Sequence, residues 1–296
     1  MREDDERVVR IDVALAPSEL ASMRLELNAA VAIVVDVIRA TTTLAVLFDR
    51  GCRRVLLAPD IEAARAAKRT RPDALLAGEV GGATPPGFDL GNSPSEISLR
   101  DLRGREVIFA TTNGTRALRA CAGSGATFAG SLRNADAVSR AALASIHQTT
   151  GEAPPALRAR SRVTVPIGGA ADGPLDDNAP DILVVCAGRS GRPAYDDTIC
   201  AGQLCQAMVE LASATGAAPR LGEGARVAIA ASRDAEATGL LAALAQSDAA
   251  RAVAAIGLSN DLEWCVALNA SPSVPWIAGG DDAGLLDMQP WRRAVI

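Results

Sequence analysis

Short, nearly uninterrupted apolar runs alternate along this chain with alanine-rich stretches of helical period. The run VAIVVDV (31–37) is typical, because almost every position in it is aliphatic. A strand of this kind is buried on both faces, which is usual for parallel sheets. Its faces must be covered by other elements, and the alanine-rich stretches supply helices for that purpose. The alternation therefore predicts an α/β fold: a mostly parallel sheet flanked by helices on both faces, in three α/β/α layers.

The same pattern predicts individual elements. Six apolar runs are predicted to be strands: 31–37, 54–58, 74–77, 106–111, 181–187 and 225–230. Four alanine-rich stretches are predicted to be helices: Thr43–Asp49, Asp60–Lys68, Thr115–Ala122 and Asn134–His147. Asp60 and Asn134 are expected to be N-caps, because short polar side chains accept hydrogen bonds from the free N–H groups of a first turn.

One segment interrupts the alternation. Residues 149–180 are rich in Pro, Gly and Asp and have no sustained period. We predict an exposed insertion or mobile loop there, with a short strand at Val163–Ile167, inside a single domain that spans residues 1–296. A linker between two domains is the alternative. The single-domain prediction is preferred because strands and helices alternate in the same style after the segment.

Composition excludes several classes of protein. The net charge is −5 and there is no tract rich in Lys or Arg, which argues against a nucleic-acid-binding protein. The N-terminal residues carry charges of both signs, and the longest early apolar run, Ala29–Val35, is too short to span a bilayer. We therefore expect a cytoplasmic protein that has no membrane segment.

Metal and redox chemistry are restricted in the same way. The six cysteines form no C-x-x-C pair, so reduced thiols are expected. His147 is the single histidine, which leaves no basis for a His-rich zinc site or a Ser-His-Asp triad. About half of all residues, 49%, are apolar, so the core needs no disulfide or metal to hold it together. With one histidine and no paired cysteines, any metal is expected to be hard and bound by oxygen, with Mg²⁺ first.

Polar residues follow four of the predicted strands. In open α/β sheets, ligands bind outside the carboxyl ends of the strands, where loops lead into helices. The four clusters are VDVIRATTT (35–43), LAGEVGG (76–82), ATTNGT (110–115) and CAGRSG (186–191). Each has an ordinary structural explanation: Asp36 could pair with Arg39, the threonines could cap a helix, Glu79 could be a loop acid, and Cys186 could be a core residue. Their joint occurrence at strand ends favours a binding site.

The ATTNGT cluster poses the sharpest choice. Asn113-Gly114 is a strong turn signal, because both residues accept positive φ at little cost. Threonine hydroxyls and free backbone N–H groups at the start of a helix could instead bind an anion. Local sequence alone favours the turn.

The sequence resembles the 2-phosphosulfolactate phosphatase family. The resemblance rests on VDVIRATTT, LAGEVGG, GFDLGNSPSEI (87–97), ATTNGTRAL (110–118), NADAVSRA (134–141) and CAGRSGRPAYDDTICAG (186–202), with a weaker match in GLSNDLEWCVALN (257–269). Together these motifs cover most of the chain in order. Two positions depart from the family pattern: Asp196 stands where Glu is usual, and Asn269 where Asp is expected.

The resemblance implies a Mg²⁺-dependent phosphomonoesterase that hydrolyses 2-phosphosulfolactate, as in coenzyme M biosynthesis, and it also implies a homodimer. Asp36, Glu79 and Asp197 are the expected metal ligands. Asp36, Arg39 and Cys186 are the candidate catalytic residues: Asp36 could attack phosphorus instead of binding metal, and Cys186 is a third route. The small polyanionic substrate is expected to contact Thr41, Thr42, Asn92, Ser93, Thr111, Thr112, Asn113, Gly114, Thr115, Arg116, Arg133, Asn134 and Arg189.

Two other functions fit the same residues. A phosphatase for a different phosphorylated hydroxy acid would keep the phosphate-binding groups and change only the arginines. A non-catalytic module could bind phosphate at a helix N-terminus without any chemistry. Release of phosphate in the presence of Mg²⁺ separates the enzymes from the module.

Overall fold

The computed structural model describes residues 8–23, 27–28, 30–149 and 179–292. The predicted insertion at 149–180 lies outside these ranges except at its ends, and so does the predicted strand Val163–Ile167. In the part described, no helix is both long and apolar enough to cross a membrane.

Ten strands form one sheet. They are β1 (Val8–Ala14), β2 (Val31–Val35), β3 (Arg54–Leu57), β4 (Leu75–Gly78), β5 (Glu106–Ala110), β6 (Ala126–Gly130), β7 (Ile182–Cys186), β8 (Ala218–Leu221), β9 (Pro275–Gly280) and β10 (Leu286–Pro290). Their order across the sheet is β4-β5-β3-β10-β9-β6-β2-β7-β1-β8.

Ten α-helices accompany the strands in the described ranges. They are α1 (Ala40–Asp49), α2 (Ile61–Thr70), α3 (Pro94–Ser98), α4 (Gly114–Ala120), α5 (Ala135–Thr149), α6 (Tyr195–Ala214), α7 (Glu223–Thr238), α8 (Leu240–Leu244), α9 (Asp248–Ala255) and α10 (Asp261–Val266). Short 3₁₀ turns occur at Pro17–Ala21 and Leu132–Asn134.

The sheet consists of two parallel blocks. One block is β4-β5-β3 and the other is β6-β2-β7-β1-β8. Between them lie β10 and β9, and the three pairings β3–β10, β10–β9 and β9–β6 are all antiparallel. The two blocks therefore run in opposite directions. We call β9 and β10 the joint between the blocks. The joint is narrow where β9 meets β6, because these two strands pair through the single residue pair Phe128–Trp276.

Both faces of the sheet are covered by apolar cores, as its apolar runs predict. In β2, Val31, Ile33 and Val35 belong to one core and Ala32 and Val34 to the other, and all five side chains are fully buried. Fully burying a side chain the size of valine or isoleucine stabilises a fold by about 1.5–3 kcal/mol. The α/β class with helices on both faces is confirmed.

Most of the predicted elements are present. Five of the six predicted strands are β2, β3, β4, β5 and β7, and the four predicted helices are α1, α2, α4 and α5. The strand predicted at 225–230 is wrong, because this segment lies inside α7. Ala225, Ala228, Ile229 and Ser232 form its buried face, which is the spacing of a helix and not of a strand.

One of the two predicted caps is confirmed. The Asp60 carboxylate accepts a hydrogen bond from the Ala63 N–H at 2.8 Å, at the start of α2. Asn134 precedes α5, but its side-chain oxygen accepts from Ser131 N and Oγ, and its nitrogen donates to Ala129 O and Ser273 O. The first turn of α5 is instead bound by Asn269, whose Oδ1 accepts from Asp136 N at 2.8 Å.

Candidate active site

The polar clusters of the two blocks meet although the blocks run in opposite directions. Helix α1, which follows β2, lies across the joint and contacts α3, α4, β6 and β9. The loops after β2, β4 and β5 therefore approach one another at the start of α1.

Asp36 lies at the centre of this region, directly after β2. The backbone N–H groups of Ala40, at the start of α1, and Gly114, at the start of α4, lie close enough to its carboxylate to oppose in part the rise that burial causes in the pKa of Asp36. Gly114 is required by this packing, because a Cβ added there would lie 2.7 Å from Asp36 Oδ2 and 2.6 Å from Ala40 Cβ. The starts of α1 and α4 therefore both lie beside the Asp36 carboxylate. Asp36 is half-buried.

Other acids surround Asp36. Burial, and then the negative charges of Asp196 and Glu79, raise the pKa of Asp36 to about 7. Burial raises the pKa of Asp196 to about 6, against the opposing effects of Ser247 and Arg189. The pKa of Asp197 also lies well above its usual range, first through burial and then through Asp196 and Asp36. Acids from the β2 and β4 loops and from α6 therefore repel one another at a single place.

Glu79 reaches this place from the loop after β4. Its Oε1 accepts from Thr112 N at 2.7 Å, and its Oε2 accepts from Gly82 N at 2.7 Å. Asp197, in the first turn of α6, is held in a similar way by Val37 N and Gly188 N, each at 2.9 Å. Backbone N–H groups therefore fix the orientation of both carboxylates.

The ATTNGT segment is neither a plain turn nor an open anion site. Thr111 and Thr115 bind each other: their hydroxyl oxygens are 3.0 Å apart, and each also accepts from the other residue's backbone N–H. The Gly114 N–H lies beside the Asp36 carboxylate, and the Thr112 N–H donates to Glu79. The donors predicted for an anion therefore lie against two protein carboxylates. The side chain of Thr112 is exposed and that of Asn113 is half-buried.

An ion pair between Asp36 and Arg39 was one structural explanation for these two residues. The structure pairs Arg39 with Asp261 instead. The Ile38–Arg39 peptide bond is cis, and the guanidinium is buried. Its Nη1 lies 2.8 Å from Asp261 Oδ2 and its Nη2 donates to Gly82 O at 2.6 Å. Asp261, the first residue of α10, is fully buried. Asp261 was not among the predicted site residues, although it lies in the weakest of the matching motifs, at 257–269.

Several residues predicted to bind substrate make internal hydrogen bonds. Thr41 Oγ1 contacts the backbone N and O of Asp36, and Thr42 Oγ1 donates to Val37 O. Ser93 caps α3 by accepting from Glu96 N, and its hydroxyl donates to Asp261. Asn92 is buried, and its Oδ1 has no hydrogen-bond partner among the described residues.

The remaining arginines divide into two groups. Arg133 lies away from Asp36: its guanidinium carbon is 4.6 Å from the centre of the Trp264 ring, and its Nε is 3.7 Å from Asp49. Asn134 beside it is fully buried and hydrogen-bonded. Arg189 and Arg116 are exposed, on the loop before α6 and on the first turn of α4. Arg189 lies near enough to Asp196 to oppose the rise in its pKa.

Two further residues have structural explanations. The thiol of Cys186 is fully buried in the apolar core, and burial together with Asp197 raises its pKa well above the usual range. Since the thiolate is the nucleophile, this environment argues against a catalytic role for Cys186. Asn269 adopts a positive φ of 54°, which Asn tolerates better than most residues, and it caps α5. An amide therefore suits this position without any acidic role.

The donor set is compatible with Mg²⁺ only as an open site. In the part of the chain that the structure describes, no three of the His, Cys, Asp and Glu side chains are grouped so that they could hold a metal ion. Mg²⁺ usually keeps several waters and is bound through one or two carboxylates and substrate phosphate. Asp36 and Glu79, which lie close enough to repel each other, fit that requirement. A closed cage of protein ligands is not formed.

Comparison with known proteins identifies the family. The family model for 2-phosphosulpholactate phosphatase matches residues 15–149 and 170–280. A probable 2-phosphosulfolactate phosphatase of Deinococcus radiodurans is 36% identical over 253 residues, which is 85% of this chain and 89% of that protein. One from Thermus thermophilus is 36% identical over 249 residues, covering 84% and 88%, and one from Pseudothermotoga lettingae is 29% identical over 265 residues, covering 90% and 94%. The chain belongs to the 2-phosphosulfolactate phosphatase family, whose members are hydrolases of phosphoric monoesters.

Proposed function

We propose that this protein hydrolyses 2-phosphosulfolactate to sulfolactate and phosphate, with Mg²⁺ as cofactor. The observation that carries the proposal is the meeting of Asp36, Glu79 and Asp196 inside the segments that match the family model. In the reaction the phosphorus–oxygen ester bond breaks, an oxygen from water ends on phosphorus, and the leaving oxygen takes up a proton. Catalysis of such transfers relies mainly on positioning and on stabilisation of charge.

Asp36 and Glu79 would hold the Mg²⁺ ion. When bound, the ion would neutralise charge on the phosphoryl oxygens. The protein's own contribution is to place the two carboxylates before the substrate arrives. Gly82 and Thr112 orient Glu79 through hydrogen bonds, and the backbone N–H groups of Ala40 and Gly114 stabilise the charge of Asp36. Asp197 is not needed as a ligand in this proposal. It fixes the loops after β2 and β7 through Val37 and Gly188.

The carboxylate and sulfonate of the substrate need cations. Of the four predicted arginines, Arg116 and Arg189 are exposed. Arg189 lies close enough to the acid cluster to oppose the rise in the pKa of Asp196. A guanidinium binds planar or tetrahedral oxyanions through two parallel hydrogen bonds. We therefore assign Arg189 and Arg116 to these substrate groups. The exposed Thr112 lies four residues before Arg116 in sequence. Arg39 and Arg133 are not assigned, because their guanidinium groups contact Asp261 and Asp49.

Two routes to the phosphate product remain open to this geometry. Asp36 could attack phosphorus and form an aspartyl-phosphate that water hydrolyses, or it could serve only as a ligand while water attacks directly. A single-turnover experiment with rapid acid quench separates the two routes. The covalent route leaves phosphate on the protein that survives acid and is released by hydroxylamine. Labelled phosphate at Asp36 supports the covalent route, and its absence supports direct attack by water.

Substrate comparison tests the proposal. Purified protein is incubated with 2-phosphosulfolactate, phospholactate or phosphoglycerate, and the released phosphate is measured with Mg²⁺, with Zn²⁺ or after exhaustive chelation. We expect Mg²⁺-dependent release that is fastest from 2-phosphosulfolactate. Faster release from another acid would move the assignment to a phosphatase for that acid. Binding of these anions without any release would support the non-catalytic module.

A pair of variants connects the activity to the site. Asp36→Asn should remove turnover, because it removes charge from the centre of the acid cluster. Asp12→Asn is the matched control: Asp12 lies in β1 and its Oδ1 accepts from Val13 N and from Ala225 N in α7. The control should keep turnover even where its melting temperature falls. Equal turnover in the two variants would remove Asp36 from the mechanism.

A further inference from the structure

A continuous series of hydrogen bonds leads from α10 to the acid cluster. Asp261 Oδ2 accepts from Arg39 Nη1 at 2.8 Å, and Arg39 Nη2 donates to Gly82 O at 2.6 Å. Gly82 N donates to Glu79 Oε2 at 2.7 Å, and Glu79 Oε1 accepts from Thr112 N at 2.7 Å. Each link is of ordinary hydrogen-bond length or shorter. The link between Arg39 and Asp261 joins two charged side chains, and each of the other three joins one charged side chain to a backbone group.

The far end of the series is firmly anchored. Asp261 is fully buried, and its second oxygen, Oδ1, accepts from Ser93 Oγ at 2.7 Å, Ser95 Oγ at 2.6 Å and Ser95 N at 3.2 Å. The carboxylate therefore has hydrogen bonds on both oxygens and a charged partner on one. A buried carboxylate without such partners would be unfavourable, so the position of the Arg39 guanidinium is closely determined.

The near end of the series controls where the Glu79 carboxylate can lie. Gly82 has a positive φ of 87°, and the turn at 79–83 is closed by two hydrogen bonds between Val80 and Ala83. The turn has little other support on its outer side, since Val80 is 58% exposed. The buried Arg39 side chain donates to the carbonyl oxygen of Gly82, and the backbone N–H of the same residue donates to Glu79.

We propose that Asp261 is a positioning residue of the active site, which acts through Arg39 and the backbone of Gly82 to hold Glu79 beside Asp36. The proposal rests on the proposed function, since it gives the series a role in turnover. Ser95 supports Asp261 in this role. The substrate does not need to contact any of these groups, because the guanidinium is buried and its two terminal nitrogens bind protein atoms.

A double-mutant cycle tests this coupling. Turnover is measured for the wild-type protein, Asp261→Asn, Glu79→Gln and the double variant. Removing a partner that orients a metal ligand typically lowers affinity or activity by 10–100-fold, so we expect Asp261→Asn to lower kcat by about 10–100-fold. In the Glu79→Gln background the same change should cost less than about threefold, because the group that Asp261 positions is already altered. Equal factors in both backgrounds would overturn the proposal.

Asp49→Asn is the matched control. Asp49 Oδ1 also accepts from two serine hydroxyls, Ser271 at 2.6 Å and Ser273 at 2.8 Å, and Asp49 also lies beside an arginine, Arg133. We expect it to lower the melting temperature and to leave kcat within about twofold of wild type in either background. A loss of kcat equal to that of Asp261→Asn would show that any damaged Asp–Ser–Arg cluster has this effect, and would overturn the proposal.

Two further measurements test the proposal if the Asp261→Asn variant folds poorly or has no measurable turnover. Ser95→Ala removes the 2.6 Å bond to Asp261 without leaving a charge unpaired, and its cycle with Glu79→Gln should show the same non-additivity at smaller amplitude. A crystal structure of either variant should show the 79–82 turn displaced and the contact between Glu79 and Thr112 N lengthened, and an undisturbed turn would overturn the proposal. Wild-type protein without phosphatase activity would instead overturn the proposed function.

Discussion

The two ends of helix α1 carry clusters of the same composition with different roles. At its start, Arg39 and Asp261 form an ion pair that two serines complete, and at its end Arg133 and Asp49 do the same with two other serines. A ten-residue helix separates them by about 15 Å. The first pair is 2.8 Å apart and almost wholly buried, whereas the second is 3.7 Å apart with side chains 13% and 19% exposed.

The two clusters differ in the second contact that each arginine makes, in addition to its ion pair with an aspartate. Arg39 continues to the Gly82 carbonyl and so to Glu79, while Arg133 stacks on Trp264, whose helix α10 begins at Asp261. Both clusters therefore fasten α10 to the rest of the protein, but only the cluster at the start of α1 reaches the acids. Residue type alone does not distinguish an arginine that positions a site from one that only packs. The two are distinguished by the second partner of the guanidinium, which is the Gly82 carbonyl for Arg39 and the Trp264 ring for Arg133.

The largest expected effect contrasts the two arginines. Arg39→Met leaves Asp261 as a buried charge without its partner, and breaking a buried pair in this way costs about 3–5 kcal/mol of unfolding free energy. Arg133→Met loses a longer ion pair and a cation–π contact, together about 1–2 kcal/mol. Urea denaturation of both variants measures the difference. Equal losses would mean that the two clusters are equivalent in stability.

A second test crowds the start of α1. Gly114→Ala places a methyl group within 2.7 Å of Asp36 Oδ2 and 2.6 Å of Ala40 Cβ. Overpacking of this kind costs about 1–3 kcal/mol, and here it also displaces the central carboxylate, so kcat should fall together with stability. Gly123→Ala is a suitable control, since the nearest atom to its added Cβ is Asn28 Oδ1 at 3.6 Å. Unchanged turnover in Gly114→Ala would mean that Asp36 tolerates displacement.

A third test separates the threonines of the ATTNGT segment. Thr115→Val removes a buried hydroxyl that accepts from Thr111 N, and leaving such a donor unpaired costs about 1–3 kcal/mol of stability. Thr112→Val changes an exposed side chain and should alter stability by less than about 0.5 kcal/mol. If the Thr112 hydroxyl contacts the transferring phosphoryl group, kcat falls by about a hundredfold or more. Thermal melting and kcat measured on both variants give the two answers independently.

The smallest effect is expected at the thiols. All six cysteines are free and buried, and burial raises the pKa of Cys52 and of Cys121 to about 12. Iodoacetamide at pH 8 should therefore leave the folded protein unmodified and its turnover unchanged, whereas denatured protein should take up the label. Rapid loss of activity with modification at Cys186 would restore the thiol as a catalytic candidate and move the chemistry away from the acids.

Local sequence predicts the parallel strands and their helices because each pattern is complete within one segment. β2 shows this, as does the Asp60 cap of α2. Segment 225–230 was mistaken for a strand because six residues, five of them apolar, are too few to show the helical spacing, which becomes clear only when Ser232 is included. The reversal of direction between the two blocks depends on β9 and β10, at the far end of the chain.

The sequence indicated where part of the acid cluster lies. Asp36 and Glu79 follow apolar runs and Asp197 lies in a motif of the family resemblance, and the structure brings Asp36 close to Glu79 and to Asp197. Asp196, which is also close to Asp36, was not among the predicted site residues. The arginines were not predictable in the same way, because a guanidinium at the end of a long side chain can reach partners far away in sequence. Arg39 contacts a residue 222 positions later. No local pattern contains that information.

The narrow joint between β6 and β9 has a consequence for how the molecule opens. With one residue pair between these strands, the block β4-β5-β3 and its two antiparallel neighbours are candidates for a separate cooperative unfolding unit. Its release would carry Glu79 and Thr112 away from Asp36 while the larger block stayed folded. Native-state hydrogen exchange should then show amides of β3 to β5 exchanging at lower free energy than those of β2 and β7. A ligand that bridges Asp36 and Glu79 would raise that free energy selectively, so exchange at β3 to β5 would report occupancy of the site without any assay of turnover.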